Sequence, residues 1–333
     1  MVNVKSALNG VRILVTGGAG FIGSNLTRRL LQYDVEKIIV IDDLSAGHDW
    51  LVPRDERIIF FRRSILDDEV LKRAYALRPD IVFHLAAHFA NQNSVDHPET
   101  DLLVNGLGTL KVLEYANIAR VGRVVVAGSG CAVYGHEAPL PFREDMPPAL
   151  RYTTPYQIHK LLTELYAYWF HEYYKLPVTV VRYFNVYGPG EVPGKYRNVI
   201  PNFIYWALNK QPLPITGTGE ETRDFTYVED AVEATILAAV KKEAVGGPFN
   251  IAGGREIKIK YLAELVNKLT GNPAGITYKP RRDWDRSVRR LASIEKAKKV
   301  LGWQPKTPFE EGLKKTIEWF KQNWENIKTS AKW

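Results

Sequence analysis

The sequence predicts an α/β fold: a doubly wound parallel sheet with a smaller C-terminal α/β lobe. Two observations carry that prediction. Short apolar runs alternate with helical segments through the first 186 residues, and strands spaced this way pair in parallel through helical crossovers. One junction between run and helix is glycine-rich, TGGAGFIG at residues 16–23. A chain of 333 residues, 45% of them hydrophobic, can bury a large core as one domain or two intimate ones.

The elements follow in order. VRILVT (11–16) suits a strand buried on both faces, and the glycines after it open the helix FIGSNLTRRLLQ (21–32). Gly17 permits the tight turn, Gly20 lets the backbone approach a pyrophosphate at the helix N-terminus, and Gly23 allows close helix packing. The second strand, KIIVIDD (37–43), places Asp42 about 20 residues further on, where a carboxylate would bind a ribose 2'-hydroxyl and repel a 2'-phosphate. Asp43, Leu44 and Ser45 follow with no Arg among them, so NAD is expected rather than NADP. Further strands are expected at RIIFF (57–61), DIVFHLAA (80–87), RVVVAGS (123–129) and VTVVRYFN (178–185). After YGPGEVPG (187–194) the pattern loosens into loops and short helices, where the smaller lobe should lie. The final helix, FEEGLKKTIEWFKQNW, carries Leu313, Ile317 and Phe320 at helical spacing, a core-facing stripe. The expected division is a dinucleotide-binding domain at 1–186, with 226–252 returning to it, and a second lobe at 187–225 and 253–333.

Composition narrows the function classes. One Cys excludes an internal disulfide framework. Lys5, Asn9 and Arg12 interrupt any early apolar stretch, and no run of 18 apolar residues follows, so a cytoplasmic protein without a membrane segment is expected. The formal charge of +8 could suggest nucleic acid, but the basic residues are scattered and no nucleic-acid motif is present. An anionic small substrate and a solvated basic surface account for it. His84, His88, His97 and His159 lack metal-ligand spacing and read as packing or loop residues, so no metal is expected.

In TPYQIHKLLTE (154–164), Tyr156 and Lys160 stand four apart and share a helix face. An ammonium there can lower the phenol pKa, making an acid/base for a sugar hydroxyl. With the glycine loop upstream and FHLAA (83–87), AVYG (132–135), RYFNVYGPG (182–190), TRDFTYVEDAV (222–232) and EKAKKVLGWQP (295–305), the chain resembles the extended short-chain dehydrogenase/reductase superfamily, specifically its NAD-dependent nucleotide-sugar epimerases and dehydratases. RDWD (282–285), and GC before AVYG, look closest to epimerase-like enzymes of bacterial O-antigen sugar synthesis.

The resemblance implies a Rossmann fold, and Tyr156 as acid/base with Lys160 on the nicotinamide ribose. It implies NAD contacts from Gly17, Gly20, Phe21, Ile22, Gly23, Asp42, Asp43 and Ser45. Ser64, Ile65, Leu85, Ala86, Ala87, Asn105 and Tyr183 would complete that site. Asn185, Asn198, Arg223 and Arg282 would hold a nucleoside-diphosphate sugar, most simply a UDP-sugar; a planar guanidinium suits phosphate. Helices around 105–119 and 156–174 pair across a dimer in the family, so a homodimer is expected.

Two departures bear on mechanism. The family's Ser or Thr four residues before the Tyr of VYG is here Gly130, with Ser129 one position early. The catalytic hydroxyl is therefore expected to be missing, its role falling to Ser129, Cys131, a water or a substrate group, and Gly130→Ser to be tolerated or mildly activating. Cys131 and Ala132 stand where dehydratases carry an acid and the Glu that removes the C5 proton; Ala can abstract nothing. A C4 epimerase acting on a UDP-hexose, UDP-hexosamine or UDP-uronic acid is expected. A dehydratase or decarboxylase, or a catalytically weak NAD-binding protein, is the alternative. Ser64 stands where the family often has an adenine-binding Asp.

Overall fold

A computed structural model describes residues 3–333. Six apolar segments form strands β1 (Arg12–Thr16), β2 (Lys37–Ile41), β3 (Ile58–Phe61), β4 (Ile81–His84), β5 (Arg123–Ser129) and β6 (Val178–Tyr183). A seventh strand, Pro248–Ile251, pairs with β6, so the chain re-enters the sheet late. The order from that strand is β6-β5-β4-β1-β2-β3, and every pairing is parallel. Strand order reverses between β1 and β4, and the crevice beyond their carboxyl ends is where such sheets bind ligands.

The strands are apolar on both faces because each face is covered. Ile13, Val15, Phe83 and Val125 join one buried cluster, while Leu14, Val82, Val124 and Val126 join the other. The edge strand β3 is only half-buried along its length.

The second lobe is built on helices Val199–Leu208, Ile259–Thr270 and Phe309–Gln322, with small pairings between Thr222–Asp224 and Glu256–Lys258 and between Leu213–Thr216 and Ile276–Lys279. Its core holds Phe203, Ile204, Leu262, Leu313, Ile317 and Phe320. The expected apolar stripe of the last long helix is thus buried.

Several strands are shorter than their apolar runs: the expected strands at 37–43 and 178–185 end at Ile41 and Tyr183, and those at 11–16 and 57–61 begin one residue later. The run at 80–87 ends as a strand at His84, because Leu85 to Ala87 leave the sheet to line a cavity, although the Leu85 amide still donates to the Thr16 carbonyl.

Candidate active site

The cavity encloses about 420 Å³ and opens along the carboxyl ends of the strands into the second lobe. Its dinucleotide end follows from glycine. Gly17 has φ +73°, and a Cβ there would come within 2.7 Å of the Ala86 nitrogen; a Cβ on Gly23 would overlap the Gly17 carbonyl. Removing those carbons lets the helix Phe21–Leu30 pack against the β1 turn with its N-terminus on the cavity. At the end of β2, Asp42 accepts from the amides of Ala19 and Leu44 at 2.9 Å each. Burial raises its pKa, and those amides oppose the rise. The carboxylate is thereby fixed facing the cavity. Asp43, Ser45, Ser64, Ile65, Leu85, Ala86, Ala87 and Tyr183 also line it.

Tyr156 and Lys160 stand on the first turns of the helix Pro155–Tyr174, both buried, both on the cavity wall. That helix is anchored from beneath. Glu164, fully buried, pairs with Arg182 of β6 at 2.8 Å, and Arg182 also donates to the Tyr134 hydroxyl. Lys160 Nζ donates to the Ala127 carbonyl at 2.9 Å and lies 5.9 Å from the Tyr156 ring centroid. Burial lowers the Lys160 pKa to about 8, against the pull of Asp101 and Glu164. The Tyr156 phenol is shifted upward, chiefly by burial and then by neighbouring Asp101 and Cys131, while the Ser129 side chain works the other way. Burial sets the direction and Lys160 is not among the groups that shift the phenol at rest, so the expected depression by Lys160 is confined to the step in which phenolate forms.

Ser129, the last residue of β5, places a hydroxyl-bearing residue on the cavity wall one position before Gly130. Gly130 could not carry a hydroxyl. A Cβ there would overlap the Phe184 ring, which is fully buried beside Tyr134 and Phe142. This overturns the expectation that Gly130→Ser is tolerated. Cys131 is half-buried; it packs on that aromatic cluster and also lines the cavity, with Sγ 3.7 Å from Asn185 Nδ2.

Asn185, two residues beyond β6, and Asn198, Arg223 and Arg282 further along the chain all line the cavity. Asn198 donates to Glu191, a buried carboxyl whose pKa burial raises to about 7. Arg223 pairs with Asp285 at 3.3 Å, and Arg282 lies over the Trp284 ring. Asn105 is the exception. It is buried away from the cavity lining, holding the main chain of His88 through both its amide atoms and donating to Asp101.

Asp101 was missed by the sequence reading. Fully buried, it accepts from both His88 and His159; burial opposes its ionisation, but those bonds and that from Asn105 hold its pKa below the ordinary value. The reading of His88 and His159 as mere packing residues is corrected accordingly, whereas His84 sits buried between Thr16 and Thr109 as a packing residue should. The spacing of Asp101 and Asn105, four apart on one helical face, was the available signal. Arg290 and the Gln92–Trp284 hydrogen bond over the cavity were also missed.

The family described as "NAD dependent epimerase/dehydratase family" matches residues 13–252. Among curated proteins, a UDP-glucose 4-epimerase of Mycolicibacterium smegmatis is 35% identical, over 93% of this chain and 99% of its own. A UDP-glucuronate 4-epimerase of Thermodesulfobacterium geofontis is 34% identical, over 95% and 98%. Among solved structures, an epimerase from the methanogen Methanothermobacter thermautotrophicus superimposes with a TM-score of 0.97 at 53% identity, covering 99% of this chain and 98% of that one.

Proposed function

Because this chain belongs to the NAD-dependent epimerase/dehydratase family, we propose that it epimerises C4 of a UDP-sugar. The observation that carries the reading is the convergence of Tyr156, Lys160 and Ser129 on a cavity whose other wall is the glycine turn and Asp42. The residues fit the cofactor: two glycines have no room for a side chain, a helix N-terminus faces the same space, and a carboxylate stands where a ribose diol would bind. Bound NAD supplies reversible hydride acceptance at C4.

The chain's own residues do the rest. Tyr156 takes the O4 proton as the alcohol is oxidised and returns it when the 4-keto sugar is reduced on its opposite face. Its raised pKa keeps the phenol protonated at rest, and Lys160, poised near neutrality at about 8, offers the charge that favours phenolate. Ser129 donates to O4. Asn198, Arg223 and Arg282 of the second lobe, residues 187–225 and 253–333, hold the diphosphate together with Asn185 from the end of β6, while 1–186 and 226–252 hold NAD. Ala132, buried and without a titratable group, argues against a dehydratase.

Exposed Leu102, Leu103, Leu107, Leu165, Trp169 and Tyr173 on the two helical segments of the expected interface support a homodimer. Among the described residues no helix is long and apolar enough to cross a membrane. We place the enzyme in the cytoplasm, where nucleotide sugars are made, and the resemblance of its RDWD and GC-AVYG segments supports a product destined for a surface polysaccharide such as O-antigen. Incubating the protein with UDP-, dTDP-, GDP- and CDP-sugars and following products by NMR tests the reading: a C4 epimer supports it, and a dehydrated or decarboxylated product refutes it.

A further inference from the structure

Arg290 is buried, 7% exposed, on the cavity wall. Its Nη1 donates to the Cys131 carbonyl at 3.2 Å and its Nη2 to the Ser287 hydroxyl at 2.9 Å, while Nε has no partner. Among the described residues no Asp or Glu lies within 4.0 Å of the guanidinium; the neighbouring Asp285 pairs with Arg223 instead. Arg223 and Arg290 stand close enough that the second helps lower the pKa of the first, to about 10, after the larger effect of burial. A buried guanidinium with no acid partner is costly unless an anion completes it.

The position of Arg290 separates it from Arg223 and Arg282. It is tied to the main chain of Cys131, two residues beyond Ser129, and Ser129, Cys131 and Tyr156 line the same cavity as its guanidinium. We propose that Arg290 is a specificity residue that binds a carboxylate on the hexose, so that the substrate is a nucleoside-diphosphate hexuronate rather than a neutral hexose. The planar fork can hold a carboxylate bidentately, and the C6 carboxylate of a uronate is borne by C5, the ring neighbour of the C4 centre served by Tyr156. Relatives bearing either kind of substrate name belong to the family, so membership leaves the choice open and this side chain decides it. The assignment rests on the UDP-sugar reading above.

The test is calorimetric binding of UDP, UDP-glucose and UDP-glucuronate to the NAD-loaded protein, for wild type, Arg290→Gln and Arg290→Lys. Wild type is expected to prefer UDP-glucuronate over UDP-glucose. Arg290→Gln, which keeps donors but removes charge, should reduce affinity for UDP-glucuronate about 30-fold or more while UDP affinity shifts less than about threefold; Arg290→Lys should recover part of the loss. A retained thermal midpoint in either variant separates binding from misfolding, and loss of the fold in both would show a structural role and overturn the assignment. Equal loss for UDP and UDP-glucuronate would make Arg290 a phosphate ligand, and equal wild-type affinities for the two sugars would likewise overturn the assignment alone. No binding of UDP at all would sink the nucleotide reading and this one with it.

Discussion

Gly130→Ser restores the hydroxyl at the family's usual position, and its outcome is decided by Phe184. The ring of Phe184 is fully buried, 6.4 Å from Tyr134 and 6.2 Å from Phe142 between centroids, so it cannot swing away from a new Cβ without moving the cluster. Forcing atoms into such a core costs about 1–3 kcal/mol. At roughly 2 °C per kcal/mol for a chain of this size, the thermal midpoint should fall by about 2–6 °C. The same displacement shifts the helical turn Gly130–Val133 and Ser129 just before it, so kcat should fall by about 10- to 100-fold. Differential scanning calorimetry and steady-state kinetics on the NAD-loaded protein measure the two effects. Phe184→Leu should rescue part of the stability, the double variant being more stable than the sum of the single changes. A Gly130→Ser protein with a wild-type midpoint and higher kcat would refute the steric argument and show Ser129 to be a poor substitute.

Other consequences are as direct. Tyr156→Phe should lower kcat by about 10²- to 10⁴-fold with NAD still bound, as seen by absorbance of the purified protein; unchanged turnover would move the proton transfer elsewhere. NAD should bind at least about tenfold better than NADP, or about 1.4 kcal/mol, and Asp42→Asn should narrow that gap in calorimetry. Cys131→Ala should cost less than about tenfold in kcat, since a thiol is a weak donor; a loss matching Tyr156→Phe would make the thiol a principal catalytic group. Lys160 has its pKa lowered from 10.5 to about 8, so burial of its charge destabilises the fold fully below about pH 8 and is relieved as pH rises toward 10.5. Lys160→Met should therefore be more stable than wild type at pH 7, by up to about 3 kcal/mol, with the difference shrinking across that window in urea titrations.

The sheet was legible because its signals are local. β5 was read to the residue, since RVVVAGS is bounded by a turn on one side and Gly130 on the other. The run at 80–87 was overread because Leu85 to Ala87 have strand composition but line the cavity, where apolar small residues serve ligand contact instead of sheet pairing. The glycine loop, Asp42, Tyr156 and Lys160 were likewise visible, each being defined by its own spacing. What escaped depends on distant pairs. Arg290 meets Cys131 across 159 residues, Asp101 meets His159 across 58, and Phe184 forbids a side chain at Gly130 across 54; no window along the chain contains both partners.

These distant pairs share a logic that bears on how one scaffold changes substrate. The segment Ser129–Gly130–Cys131 lines the cavity with Tyr156 at its first residue, leaves room for the Phe184 ring at its second and accepts from Arg290 at its third. Hydrogen in place of a side chain at Gly130 leaves room for the Phe184 ring, and on the proposed mechanism the hydroxyl comes from Ser129 on the preceding strand end. Arg290 then anchors the far end of the same segment from the second lobe. On the proposed roles, proton transfer and sugar recognition meet on three consecutive residues, so a change at Arg290 should alter KM for an anionic sugar more than kcat, whereas a change at Ser129 should do the reverse.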